Sequence, residues 1–426
     1  MNDMSEKSWY KLDNAAKIFP PTSSKSDTKV FRFSCELREA VDEKLLQSAL
    51  DRTMDDFPSF RCILKNGMFW YYLEQSPLRP LVRQENIPPC NTLYLGRKTL
   101  LFDVTWYGRR INLEVYHALT DGTGALQFLK TLIFFYLKRA HPETMDKAAG
   151  IDYDASETQK MADSFDKYYD RQKKSASKFK SPVAWQLKGP KEAEWRLNII
   201  EGSVSAQAVL NKAREYDTSA TILITALLMR AIYGEMSVRD RRKPVVITVP
   251  VNLRNYFDSK STRNFFSVIN IKYDFKTNKD DIGEIIKYAK EYCAGHLNEE
   301  YLQTRLNKLL RFERNFLIRP IPLVVKDFCM SIAYSFAARE FTAAVSNLGQ
   351  VRMPPEAAPY IRLFDVFSST KTLQVCLCSY ENTMNISFTS PLVSTDIQRS
   401  FFRQLSQMGI AVEITANHFK KEPTGP

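Results

Sequence analysis

INLEVYHALTDGTGALQFLKTLIFFYL, residues 111–137, decides how the rest of the chain is read. Leu113 and Val115 alternate with Asn112 and Glu114, a period of two that predicts a strand. From Thr123 onward, Leu126, Phe128, Leu129, Leu132, Ile133, Tyr136 and Leu137 cover more than one helical face, which predicts a buried helix. Between the two, His117 to Gly122 forms a short polar turn held by core elements. A carboxylate beside a buried helix is costly unless paired, and Gly122 gives the turn freedom where a side chain would crowd it. An imidazole, a carboxylate and a glycine at HxxxDG spacing therefore mark a candidate active site: His117, Asp121, Gly122. The competing account is a hydrogen-bonded structural histidine. A metal pair is disfavoured, because no further His or Cys lies nearby in sequence to complete a ligand set.

Composition narrows the class. A chain of 426 residues can bury a large core and is expected to hold about two or three domains. Its 44% hydrophobic and 25% charged residues fit a globular enzyme and exclude a disordered chain. No apolar run follows Met1, so no secretion signal is expected. TLIFFYL and ATILITALLM fall far below the roughly 20 residues of a membrane span. Cys35, Cys62, Cys90, Cys293, Cys329, Cys376 and Cys378 are odd in number and lack zinc spacing; they read as reduced, mostly buried thiols of a cytoplasmic protein. The net charge of +12 invites a nucleic-acid partner, but the basic clusters at 171–174 and 239–243 are broken by acids or sit in expected loops. No nucleic-acid module accompanies them, and solvated basic faces, suited to an anionic small molecule or an acidic partner, are expected instead.

His117, Asp121 and Gly122, set between a strand and a buried helix, resemble the HxxxDG signature of the chloramphenicol acetyltransferase and condensation-domain superfamily. Its members are CoA- or carrier-protein-dependent acyltransferases, and the resemblance is nearest to alcohol acetyltransferase-like proteins of bacteria and fungi. Three further stretches resemble superfamily motifs. Phe57-Pro58-Ser59-Phe60-Arg61 is similar to FPxFR; Arg263-Asn264-Phe265-Phe266-Ser267 is similar to GNFxN without its first glycine; and Ser346-Asn347-Leu348-Gly349 matches SNLG. The plant-type DFGWG motif is absent.

The order of elements agrees. A strand (29–37), a helix (42–54) and a hairpin about Asn66-Gly67 lead into the deciding stretch. A charged, aliphatic-poor segment at 139–190 reads as a long surface connection. After it come helices at 205–216 and 219–236, then PVVITVPV (244–251), a β-branched run expected of a strand buried on both faces. Strands at 268–273, 341–346, 362–369, 373–380 and 384–389 and helices at 280–316, 323–338 and 395–412 complete the second half. The resemblance implies an α/β fold of two similar sandwich subdomains, a pseudo-dimer with an active-site tunnel between them: residues 1–138, a crossover at 139–195, and residues 196–426, working as a monomer.

It also implies roles. His117 would be the general base, and Asp121 would form a structural ion pair with a second-half arginine. Arg254, at the end of a buried strand, is the first candidate and Arg263 the second. Gly122 N–H, Ser346 and Asn347 would donate to the reacting oxyanion; a plain turn at Asn-Leu-Gly is the alternative. The expected reaction moves an acyl group, acetyl above all, from acyl-CoA to an alcohol or amine acceptor, without a metal. Carrier-protein-dependent acyl transfer in lipid or natural-product assembly is the alternative. A non-catalytic binding protein is the third reading, opposed by the intact HxxxDG, and a serine hydrolase lacks its GxSxG.

Overall fold

One strand from the second half joins the sheet of the first, so the two halves share a sheet. The computed structural model describes residues 9–93, 98–151, 159–160, 162–170 and 183–417. The first half supplies strands β1 (Trp9–Lys11), β2 (Val30–Leu37), β3 (Cys62–Asn66), β4 (Tyr71–Gln75), β5 (Arg83–Gln84), β6 (Phe102–Tyr107) and β7 (Arg110–Tyr116), with helices α1 (Glu43–Asp56) and α2 (Gly122–Ala140). The second supplies β8 (Asn198–Ser205), β9 (Val245–Asn252), β10 (Phe266–Tyr273), β11 (Ala343–Val351), β12 (Ile361–Ser368), β13 (Gln374–Tyr380), β14 (Thr383–Ser390) and β15 (Glu413–Ala416). Its main helices are α3 (Ala206–Glu215), α4 (Ala220–Glu235), α5 (Ile282–His296), α6 (Glu299–Arg314), α7 (Leu323–Ala337) and α8 (Asp396–Gln407).

The larger sheet runs β10-β9-β11-β13-β14-β8-β15, the second β12-β2-β7-β6-β5, and a small one β1-β4-β3. β12 pairs antiparallel with β2, Phe364 opposite Cys35 and Val366 opposite Phe33. The expected crossover at 139–195 thus divides the chain but not the sheets. An alternating strand ordinarily keeps its polar side in water, yet every residue of β2 is buried. Its polar residues are paired across the sheet. Arg32 binds Glu114 at 2.8 Å, Ser34 donates to Asn112 at 2.7 Å, and Glu36 takes Arg110 at 2.9 Å and Arg362 at 2.6 Å.

The larger sheet covers that polar layer. Cys378 Sγ and Asn385 Nδ2 both donate to the carbonyl of Phe364, at 3.0 and 2.8 Å. Cys376, Cys378 and Tyr380 share an apolar core with β2 and β7, while Val375 and Leu377 face the core built on α4 and α8. β13 is therefore buried on both faces. β9, expected to be, is not: Pro250 is exposed, because β9 lies next to the edge strand, away from the strands that meet β12. Of the crossover segment, Trp185 is buried and bridges Pro244 and Thr342, whereas the basic cluster at 171–174 lies outside the described residues.

Candidate active site

The turn between β7 and α2 is fastened at each step. His117 N–H donates to Lys29 O at 2.9 Å, so the turn leaves β7 still tied to the start of β2. Thr120 Oγ1 donates to Thr262 O, a contact with the second-half loop 261–265. Asp121 then caps α2, its Oδ1 accepting from Thr123 N at 3.1 Å and Gly124 N at 3.2 Å. That satisfies two of the backbone donors a helix start leaves open.

The second carboxylate oxygen of Asp121 faces the other half. It accepts from Arg254 Nη1 at 2.7 Å and from Phe265 N at 2.9 Å. Asp121 and Arg254 are nearly buried, with side-chain exposures of 7% and 10%. The Arg254 guanidinium also donates to Ser261 O and Arg263 O, which ties the whole loop to Asp121. Of the two arginine candidates, Arg254 makes the ion pair. Arg263 lies 3.7 Å from Asp13 instead.

His117 is partly buried among Phe19, stacked at 4.5 Å between centroids, Phe31 at 4.9 Å and Phe266 at 5.5 Å. Its Nδ1 lies 3.1 Å from Asn264 Oδ1. The direction of that bond follows from the rest of the amide. Asn264 Nδ2 donates to His117 O at 3.0 Å and to Asp13 Oδ2 at 3.2 Å, so the amide nitrogen points away from the ring. Oδ1, an acceptor, meets the ring, and a neutral His117 must carry its proton on Nδ1. The lone pair is left on Nε2, which has no partner among the described residues. Burial pushes the imidazole below the usual histidine range, against the pull of Asp121 and Asn264 the other way. Burial likewise pushes Asp13 up to about 6.

Gly122 opens α2 under Leu348, whose Cδ2 would lie 2.8 Å from an added Cβ. Gly124 is tighter still: a Cβ there would sit 2.2 Å from Thr120 Oγ1 and 2.3 Å from Thr262 O. Ser346 and Leu348 alternate with Asn347 along β11. Asn347 is turned away from its expected role. Its amide donates to Thr221 Oγ1 at 2.8 Å, and its Oδ1 accepts from Gly349 N at 2.8 Å. Two surface cavities, of about 610 and 300 Å3, are lined by residues around Arg79 and around Pro89, and His117 is in the wall of neither. Sequence reading missed Asn264 as the partner of His117 and Asp13 as the partner of Asn264. Asn264 lay inside the quoted RNFFS stretch, which was the available signal; Asp13 carried none.

No protein-family model matches the chain, and no curated protein matches its sequence. Solved structures do match its fold. The first condensation domain of the CDA synthetase aligns with 14% identity over 95% of this chain and 97% of that one, TM-score 0.62. Trichothecene 15-O-acetyltransferase from Fusarium sporotrichioides aligns with 10% identity over 96% of both chains, TM-score 0.61. A variant starter condensation domain of rhizomide synthetase, in complex with C8-CoA, aligns with 11% identity over 94% of this chain and 95% of that one, TM-score 0.60. The chain has the two-subdomain α/β fold that condensation domains share with chloramphenicol acetyltransferase-like proteins.

Proposed function

We propose that this chain is an acyltransferase in which His117 Nε2 is the general base. The observation that carries this is the fixed amide of Asn264, which holds the imidazole proton on Nδ1 and leaves Nε2 unprotonated. A thioester is already activated, so transfer needs a base for the acceptor more than a protein nucleophile. Nε2 takes the proton of a hydroxyl or amine as it attacks the thioester carbonyl, and then returns it to the departing thiolate. The oxyanion formed between these steps needs fixed donors. Gly122 N–H, at the first position of α2, has no acceptor within its helix, and Ser346 Oγ is the side-chain candidate. Asp121 and Arg254 hold the turn and do not touch substrate.

Acyl-CoA is the proposed donor and a small alcohol or amine the acceptor. The neighbour bound to C8-CoA supports a CoA thioester, and the neighbouring acetyltransferase supports O-acylation. A carrier-protein thioester is the alternative that the condensation-domain neighbours favour. Thiol release, followed with acetyl- and octanoyl-CoA over a panel of alcohols and amines and then with acylated carrier protein, separates the two. Acceptor-dependent release with free acyl-CoA is expected. No acceptor-dependent release from either donor would overturn acyl transfer itself.

A further inference from the structure

Helix α7 is mounted the wrong way round for a soluble protein. Its inward face holds the polar groups. Lys326 Nζ donates to Phe69 O at 3.1 Å and Arg319 O at 3.0 Å, Asp327 accepts from Tyr71 OH at 2.6 Å, and Tyr334 OH accepts from Lys29 Nζ at 2.6 Å. Its outward face is mainly apolar: Val324 is 80% exposed, Phe328 68% and Phe336 64%, with Val325 and Ile332 between them and the small hydroxyls of Ser331 and Ser335 on the same side. Phe316 and Leu317, just before the helix, are exposed as well, and Met68 extends the patch where its carbonyl accepts from Leu323 N. A surface helix ordinarily turns such a stripe to the core. A contiguous exposed apolar patch marks a contact surface.

The charges around the patch select the partner. Between Phe316 and Arg339 the exposed charged residues are Arg319 and Arg339, one at each end of α7, and Glu340, next in the chain, is half-buried. The one carboxylate in that stretch, Asp327, points inward to Tyr71. The Arg339 guanidinium lies 5.7 Å from the Phe336 ring. A single projecting helix, apolar along its outer side and bracketed by arginines, fits the boundary of an anionic bilayer. The apolar side chains enter the acyl region and the guanidiniums meet phosphates. No helix among the described residues is long and apolar enough to cross a membrane, so the contact is peripheral.

We infer that α7 seats this protein on the surface of an anionic lipid bilayer. The inner side of the same helix is linked to the candidate site. Tyr334 on its inner side holds the Lys29 ammonium, and the Lys29 carbonyl accepts the His117 N–H.

Flotation of the full chain with vesicles of phosphatidylcholine, alone or with about 30% phosphatidylglycerol, tests the inference. The protein is expected to float with the anionic vesicles and far less with the neutral ones. Replacing Phe328, Ile332 and Phe336 together by serine should weaken binding at least about tenfold with circular dichroism unchanged, since all three face solvent. Arg319→Glu with Arg339→Glu should remove the preference for anionic vesicles. Wild-type protein that stays unbound with both vesicle types would overturn the inference. So would triple-serine protein that floats as well as wild type, or a concentration-dependent dimer that the triple-serine change abolishes, which would make a second copy the occupant.

Discussion

Asn264 and His117 grip each other at two points: the amide oxygen accepts a hydrogen bond from the imidazole Nδ1–H while the amide nitrogen donates to the His117 carbonyl. Asp13 holds the remaining amide hydrogen, so the carboxamide cannot turn over without losing both of its acceptors. A residue 147 positions away in sequence thus sets the tautomer of the candidate base. Asn264→Ala should lower kcat by about 10- to 100-fold while leaving the fold intact, as outer-sphere partners of functional histidines do. Near wild-type kcat in a folded Asn264→Ala protein would show that the tautomer is set otherwise.

The acid limb of the pH profile follows from burial. The proposed base works only as neutral imidazole, and its surroundings hold its pKa below the ordinary value near 6.5. The fall of kcat/KM on acidification should therefore begin below about pH 6.5. The same shift makes the unfolded chain bind the proton first, so this group's contribution to stability is complete above the unfolded pKa and is lost as pH falls below it. Asp13, raised to about 6, acts with the opposite sign: its contribution is present at low pH and lost as pH rises through its folded value. For that reason kcat/KM, rather than melting, is the measurement that reads His117.

Asp121 and Arg254 form a nearly buried pair that also caps α2 and ties down loop 261–265. Removing one partner strands the other charge. Arg254→Ala should cost about 3–5 kcal/mol in denaturant unfolding, and Arg254→Lys should recover only part of it, because a single ammonium cannot reach Asp121, Ser261 and Arg263 together. A loss under about 1 kcal/mol would mean that the pair is solvated.

Two glycines of one turn should answer alanine differently. At Gly122 the obstacle is the tip of the Leu348 side chain, which can rotate. At Gly124 it is the Thr262 backbone carbonyl. Gly124→Ala should cost about 1–3 kcal/mol or more, and Gly122→Ala clearly less. Equal melting temperatures for the two variants would contradict the close contact between the turn and loop 261–265.

What the sequence disclosed and what it hid have separate physical causes. The strand, turn and buried helix of residues 111–137 were legible because periodicity and capping are local: Asp121 caps α2 from immediately before it. Arg254 was legible as a polar residue ending a β-branched run. The buried polar side of β2 was not, since its cover comes from β13 and β14, more than 300 residues further on. β12 itself reads as any second-half strand; only its register against β2 places it in the first sheet. Asn347 looked like a donor in SNLG, but the strand's alternation turns it toward Thr221. Asp13 sits in a mixed segment with no pattern, and its part depends wholly on where Asn264 lands.

In the proposed reaction one ring nitrogen, His117 Nε2, takes the acceptor's proton. Once a donor and an acceptor have been found with the wild-type protein, the rate of thiol release by folded His117→Ala measures this most directly. A loss of about 100-fold or more in kcat, with the unfolding midpoint held near wild type, is the predicted result. Acyl transfer within a few-fold of wild type would contradict it.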